Sequence, residues 1–558
     1  MQRRTLLVVA AALVAAAVCP GVPGTLRAAA SDPMALCGAV SSRDDGKLEG
    51  VLVTARRDGA SFSVTVSSDE RGGYCFPRSH LEPGEYSLRT RATGYDLDPA
   101  VRVGVKSDRK VTADLTLRRT RDLAAQLTSQ EWVMSAPGTI EQKNAFVRQV
   151  INCGFCHTLE RVVRSRYTAE QWVPVIERMS SYHPDFSGSV RVQKWGGMGP
   201  ADQWWTVPIK DLAGYLATIN RSQGESWAYP LRPLPRPRGR ATRAIVTVYD
   251  IPRQPNVIHD LDVDASGNVW YANTGFDYLG KLDPKTATFS EYPAPNFAAT
   301  PGGVVGLMDV QADGDGNVWA NVRGPKLARF DTRALTWKAF DLPAGQTAGA
   351  FLAPFRGRQA NTVWTHSALR LDVATGHVQV FDWRKDAPPG PHTGYVLDRD
   401  SQDNGYLTDY GRMGYGASNI VRIDGKSGAV KFFPTPTPDA FPRRGYIDSA
   451  DRFWFGEFYG DKIAVFDTRT ERFQEFPTPH PFSGAYYARP DRNGDVWTSS
   501  NGTDRLLRLD PRTGQVLEYL MPVYYDARKV VTEPSGDRVV VWLPNKNMSQ
   551  LIRVEPLD

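Results

Sequence analysis

One aromatic residue recurs seven times in the second half of the chain, each time after a turn rich in Gly, Asn or Asp. These are Trp270, Trp319, Trp364, Tyr406, Trp454, Trp497 and Trp542, at intervals of 49, 45, 42, 48, 43 and 45 residues. A period of this size, built from short alternating runs, is the mark of four-stranded propeller blades. Further strands follow each aromatic, as at Gly280 to Asp283, Leu327 to Asp331 and Leu507 to Asp510, then at Phe289 to Tyr292, Lys338 to Phe340 and Phe473 to Phe476. Seven aromatics predict a seven-bladed β-propeller over 244–558. The last repeat stops after Ile552-Arg553-Val554, short of an outer strand, while Ile245 to Tyr249 lies outside the first repeat. The two ends are expected to pair and close the ring.

Upstream, the pattern changes. Arg3 and Arg4 precede an apolar run from Leu6 to Val18, and Ala28-Ala29-Ala30 precedes Ser31. The run is shorter than the ~20 residues a membrane-spanning helix needs, so residues 1–30 read as a cleaved signal peptide. The Arg pair hints weakly at twin-arginine export, and Cys19 after Val18 fits a lipid anchor poorly. No later stretch is apolar enough to span a bilayer, so no transmembrane segment is expected. Residues 34–119 then alternate with period 2, as a small β-sandwich does. Cys37 and Cys75 would meet an oxidising compartment there; a disulfide is the first reading and two separate buried thiols the other. The Gly73-Tyr74-Cys75-Phe76 strand and the stretch from Pro83 to Leu88 resemble the carboxypeptidase regulatory-like domain. That resemblance implies a transthyretin-like accessory sandwich and supplies no catalytic set.

Cys153-Gly154-Phe155-Cys156-His157 is a C-x-x-C-H motif. Two thiols so spaced can attach the vinyl groups of haem while the adjacent imidazole ligates iron. One covalent haem c is expected, on Cys153 and Cys156, with His157 as the proximal iron ligand. Glu141 to Val150 can form a helix into the motif, and Thr168-x-x-Gln171 reads as a capping box opening a helix to about Ser181. Val207 to Ile219 gives a last helix, whose end resembles that of class I cytochromes c. This resemblance covers 121–222 and implies a compact all-α mono-haem domain. Met198, in the Gly-rich loop before the last helix, stands where the family places its distal ligand, with His183 as the rival. Haem attachment outside the inner membrane would place the protein in the periplasm.

Residues 223–243 form a Pro/Arg-rich linker, read as a solubilised spacer. Beyond it, Asn268-Val269-Trp270, Lys281-Leu282-Asp283-Pro284 and Asp461-Lys462-Ile463 resemble virginiamycin B (streptogramin) lyase. That family implies a seven-bladed propeller opening a cyclic depsipeptide by Mg²⁺-assisted elimination. Its residues carry over in part. His392 and Glu457 match a family His and Glu, which leaves room for Mg²⁺ in the propeller, but Arg444 stands where the base should be. His259, 11 residues before Trp270, occupies the corresponding place in its own blade. The candidate catalytic set is therefore His392, Glu457, Arg444 and His259 at the channel mouth.

The fold expected is multidomain and mainly β: a transthyretin-like sandwich, a small all-α cytochrome c domain and a seven-bladed propeller. With 67 basic against 61 acidic residues the net charge is only +6 over 558 residues, too dilute to suggest nucleic acid. The leading functional reading is a periplasmic mono-haem cytochrome c for electron transfer. Its propeller would bind a redox partner, such as a periplasmic dehydrogenase, or a small molecule at the mouth. The alternatives are a lyase-like enzyme and a carbohydrate- or envelope-binding assembly. Elimination needs a base beside the ester carbonyl, and a guanidinium stays protonated at neutral pH. Incubation with a streptogramin B antibiotic and Mg²⁺ is therefore expected to leave the ring closed, as judged by chromatography of the reaction.

Overall fold

The computed structural model describes residues 32–154, 157–180, 207–253, 257–273, 278–295, 306–322, 325–349, 351–355, 361–412, 416–533, 536–546 and 548–558. It is mainly β. The N-terminal part is a two-layer sandwich. One layer is centred on the strand Met34–Ser42, which pairs with Gly73–Pro77 and with Leu115–Arg119. The other contains Phe62–Ser67, Leu52–Arg57, Gly84–Arg91 and Val101–Val105. Alternation along these strands turns Leu36, Val40, Val53, Val64, Phe76 and Leu88 into one core between the layers. Cys37 and Cys75 face each other in neighbouring strands and form a disulfide.

The second layer does not end at the sandwich edge. Phe62–Ser67 pairs with Ala244–Asp250, and Ala244–Asp250 pairs on its other side with Gln550–Pro556. The sheet thus runs without a break from the sandwich into the last blade. That blade takes Val531–Thr532, Val541–Asn545 and Gln550–Pro556 from the C-terminal end and its outer strand from residues 244–250. The expected pairing of the two chain ends is what is found.

The other six blades begin at Ile258, Leu307, Leu352, Gly394, Pro442 and Ala485. All but the third are four-stranded antiparallel sheets; the third has three strands and an isolated bridge, Leu352 to Thr365, in place of the innermost one. The recurring aromatic is explained by a corner. Asp264, Asp313, Asp448 and Asp491 each take the indole N–H of the Trp six residues on, at 2.8, 3.0, 3.0 and 2.8 Å. The same carboxylates cap the turn, taking backbone N–H groups two and four residues ahead. One Asp therefore fixes both the turn and the first core side chain of its blade.

Between sandwich and propeller lie five described helices: α1 (Ser129–Ser135), α2 (Ile140–Cys153), α3 (Glu160–Val163), α4 (Ala169–Ser180) and α5 (Ile209–Ile219). Thr168 and Gln171 cap α4 reciprocally, as expected. α1 was not foreseen; it opens on a capping box of Thr128 and Glu131. These helices do not form a core apart from the propeller. Trp132, Val147, Ile151, Trp172 and Leu216 belong to one continuous core with Phe441, Phe458, Phe482 and Tyr486 of the propeller. The linker is likewise no free spacer. The Leu234 N–H donates to Glu131 Oε1 at 2.5 Å, Arg236 Nε to the Glu49 carbonyl at 3.0 Å, and Arg505 Nη2 to the Pro235 carbonyl at 2.7 Å. A cleft of about 780 Å³ remains where sandwich, helices and propeller meet. Arg91 crosses to its propeller wall, pairing with Asp504 at 2.6 Å.

Removing a corner carboxylate strands several buried donors at once. Asp491→Ala is expected to lower stability by about 2–3 kcal/mol in denaturant unfolding, with a red shift of tryptophan emission preceding global unfolding.

Candidate functional site

The innermost strand of five blades carries a register shift at the same place: Ile258 to Leu261, Leu307 to Val310, Gly394 to Leu397, Pro442 to Gly445 and Ala485 to Ala488. Such a bulge inserts a residue and re-aims the side chains around it. The residues inside the shifts are His259-Asp260, Met308-Asp309, Tyr395-Val396, Arg443-Arg444 and Tyr486-Tyr487. In the last blade Arg528-Lys529 lies just before the inner strand. Six blades of unlike sequence thereby deliver charged and aromatic groups to one axis.

These groups meet across the ring. Arg444 reaches Asp260 with both terminal nitrogens, at 2.6 and 3.0 Å. Both are almost wholly buried. Burial alone would raise the Asp260 carboxyl, but the charge of Arg444, then those of His259 and Lys529, overcomes it and holds the group well below the carboxylate range. Lys529 Nζ pairs with Asp309 at 3.0 Å, and Arg528 grips Asp526 through two nitrogens at 2.7 and 3.1 Å. Arg443 is ringed by aromatics, its guanidinium carbon 4.1 to 5.7 Å from the centroids of Phe441, Tyr395, Tyr486, Phe458 and Tyr410. His366 accepts the Phe351 N–H at 3.1 Å. Burial, then Arg384 and Arg444, lowers its imidazole to about 4, so it is neutral at pH 7.

The helices roof the mouth over the fifth to seventh blades. The Gln130 N–H donates to the Gly502 carbonyl at 2.8 Å and its side chain to Pro481 at 2.6 Å. Arg148 of α2 lies 5.4 Å over the Tyr459 ring, and Tyr524 donates to the Gly154 carbonyl at 3.0 Å.

Of the residues singled out in the sequence, His259 and Arg444 are brought together through Asp260, to which His259 Nδ1 lies 3.3 Å. His392 stands at the start of the fourth blade, with Nδ1 2.7 Å from Asp409 and Nε2 2.7 Å from the Pro388 carbonyl. Glu457 ends the second strand of the fifth blade, opposite Pro442 and Lys462. It is fully buried, and neither carboxyl oxygen has a hydrogen-bond partner among the described residues. Burial first, then the nearby Glu475, pushes its carboxyl up to about 8, against the pull of Lys462.

The cofactor expectation, one covalent haem and a propeller Mg²⁺, is corrected. Among the described residues no three His, Cys, Asp or Glu side chains stand together as a metal site. His392 and Asp409 form a pair, Glu457 is enclosed, and Asp260 is committed to Arg444. Of the haem set only Cys153 and His157 fall among the described residues; Cys156, Met198 and the rival His183 lie outside them, as does the leader, 1–30. His157 Nδ1 is 2.8 Å from the Thr158 carbonyl.

Sequence reasoning missed Asp260, Asp309, Tyr395, Arg443, Tyr486, Arg528 and Lys529. A signal for most of them was present. The spacing that picked out His259, 11 residues before the blade aromatic, also gives Met308, Tyr395, Arg443 and Tyr486, and the next residue gives Asp260, Asp309, Arg444 and Tyr487.

No protein-family model matches this chain, and no curated protein matches it. Among solved structures, a streptogramin B lyase is 16% identical, with a TM-score of 0.48, over 57% of this chain and 99% of that one. A virginiamycin B lyase from Staphylococcus aureus is 19% identical, with a TM-score of 0.47, over 56% of this chain and 99% of that one.

Glu457 supplies a pH signature. Its native pKa, about 8, lies above the ordinary 4.5. Between those values the folded protein holds a proton that the unfolded chain has released. Stability is therefore fully present below about 4.5 and falls as pH rises toward about 8. Glu457→Gln is expected to flatten this fall by an amount on the order of 5 kcal/mol, measured as the difference between wild-type and variant unfolding free energies across that range.

Proposed function

We propose that this chain is an exported binding protein whose propeller takes a small anionic molecule at a mouth roofed by helices. One observation carries the reading. Among the described residues near the axis, Arg443, Arg444, Arg528 and Lys529 converge against Asp260, Asp309 and Asp526. These cations lie in a buried setting, where charge attraction is stronger than in water. A planar guanidinium pairs well with a carboxylate or phosphate. The rings of Phe441, Tyr395 and Tyr486 pack against the Arg443 guanidinium by cation–π contact.

Export is supported by the Cys37–Cys75 disulfide, a bond that persists in oxidising compartments such as the periplasm. No helix among the described residues is long and apolar enough to cross a membrane. Binding is preferred to lyase turnover because Asp260 pushes the Arg444 guanidinium further from neutrality, leaving it unable to take a proton.

Thermal unfolding with inorganic phosphate, citrate and benzoate, against benzamide at equal ionic strength, tests the reading. An anion at a hundred times its Kd stabilises by about 2.7 kcal/mol, so a rise in Tm is expected with anions alone. Arg443→Gln should abolish it. Equal shifts with benzamide, or no shift with any anion, would show the reading to be wrong.

A further inference from the structure

Tyr395 of the fourth blade and Tyr486 of the sixth meet hydroxyl to hydroxyl. Each sits in the bulge of its inner strand, so the sheet fixes both rings. Arg528 Nη1 donates to the Tyr486 oxygen at 3.2 Å, and its guanidinium carbon lies 5.0 Å from that ring's centre. Arg443 lies 4.8 Å from the Tyr395 centroid and 5.0 Å from that of Tyr486. Asp526 grips Arg528 from its far side, Arg444 is engaged with Asp260, and Tyr410 packs edge-on against Tyr395. Two phenols in contact beside two buried guanidinium groups ionise as a pair, and the nearby positive charge favours the ionised form at Tyr486.

We propose that Tyr395 and Tyr486 are the proton-accepting pair of the mouth, serving an anionic small molecule that carries an exchangeable proton. This rests on the anion-binding reading above. Tyr395 is half-buried and is the member that an arriving ligand meets; Tyr486 is fully buried and is the store. The step balances. The ligand's proton goes to the Tyr395 oxygen while the Tyr395 proton passes to the Tyr486 phenolate. The ligand keeps its electron pair as the conjugate base, and both phenols end neutral.

The electrostatics run the same way. Burial would raise the Tyr486 phenol, but the charges of Arg443 and Arg528, with the hydrogen bond from Tyr395, bring it below its ordinary 10. Burial and the Tyr486 charge move Tyr395 well above it. Tyr271, Tyr487 and Tyr525, all buried, and the half-buried Tyr410 are likewise raised.

Ultraviolet difference titration of the full chain, which reads tyrosinate directly, tests the pair. One tyrosine is expected to ionise in a step of its own, ahead of the rest. The step should vanish in Tyr486→Phe and move to higher pH in Tyr395→Phe, which removes the donor to the phenolate. A native chain with no early step overturns the proposal. So does a step that survives in Tyr486→Phe, or one that Tyr395→Phe leaves in place; the second variant decides if the first does not fold. A chain stabilised by anions but lacking the early step sinks the pair alone, whereas an early step in a chain that no anion stabilises sinks the binding reading alone.

Discussion

The Ala244–Asp250 strand is hydrogen-bonded along both edges, to Gln550–Pro556 on one side and to Phe62–Ser67 on the other. A propeller has to join its first blade to its last, and here the chain's final strand does so from within the seventh sheet. Closure leaves every blade with an outer edge, and an unpaired edge invites association with another chain. The other outer strands carry charges such as Glu291, Lys338, Lys431 and Arg472 along largely exposed backbone. The seventh edge, Ala244-Ile245-Val246-Thr247-Val248-Tyr249, is apolar and buried. It would be a poor edge, and the sandwich covers it. The accessory domain is thus a structural part of the last blade, and Arg91, reaching Asp504, adds a second tie.

Once the ring is closed, the bulges determine what lies at its centre. Four blades are held by Asp–Trp corners, and apolar pairs hold the regular parts of all of them, which permits little variation. The shifted residues carry the variation: His, Asp, Met, Tyr and Arg occur there in different blades. Burying so much charge is costly unless each member is matched. Asp260 with Arg444, Asp309 with Lys529 and Asp526 with Arg528 provide the matching. Replacing such pairs with apolar residues is often neutral or stabilising, so folding does not require them, and their presence at the axis agrees with the proposed binding role.

The propeller was legible in the sequence because its unit is short and repeats: one Trp, one corner and a period near 45 residues gave the blades and the closing strands. The α2, α4 and α5 helices were legible from capping pairs and apolar spacing. Their packing was not. The faces of Trp132 and Ile151 show that these helices bury something, but no local pattern says that the other side is Phe441 and Phe482. The Pro/Arg linker misled for the same reason. Its Pro content suggests an extended spacer, and it is extended, yet its backbone is bonded to Glu131 and its Arg236 to Glu49. The site was half legible. His259 and Arg444 were found by likeness or spacing, whereas their common partner Asp260 depends on two blades 184 residues apart meeting across the axis.

The roof and the mouth are joined by an unbroken series of aromatic contacts. Arg148 of α2 lies over Tyr459, Tyr459 stacks on Phe441 at 4.6 Å, and Phe441 lies 4.1 Å under the Arg443 guanidinium. Arg443 in turn faces both rings of the tyrosine pair. Contact of this kind transmits nothing unless one member has two packed positions. Arg443 is the member with reason to have them, because its cation–π contacts are individually worth only about 0.5–2 kcal/mol and a ligand carboxylate competes for the same charge. Drawing the guanidinium toward a ligand would open space beside Phe441, and a close-packed aromatic cluster cannot leave that space empty without cost. On the proposed anion-binding reading Tyr459 and α2 would have to follow, because the roof rests on the side chains packed around Arg443.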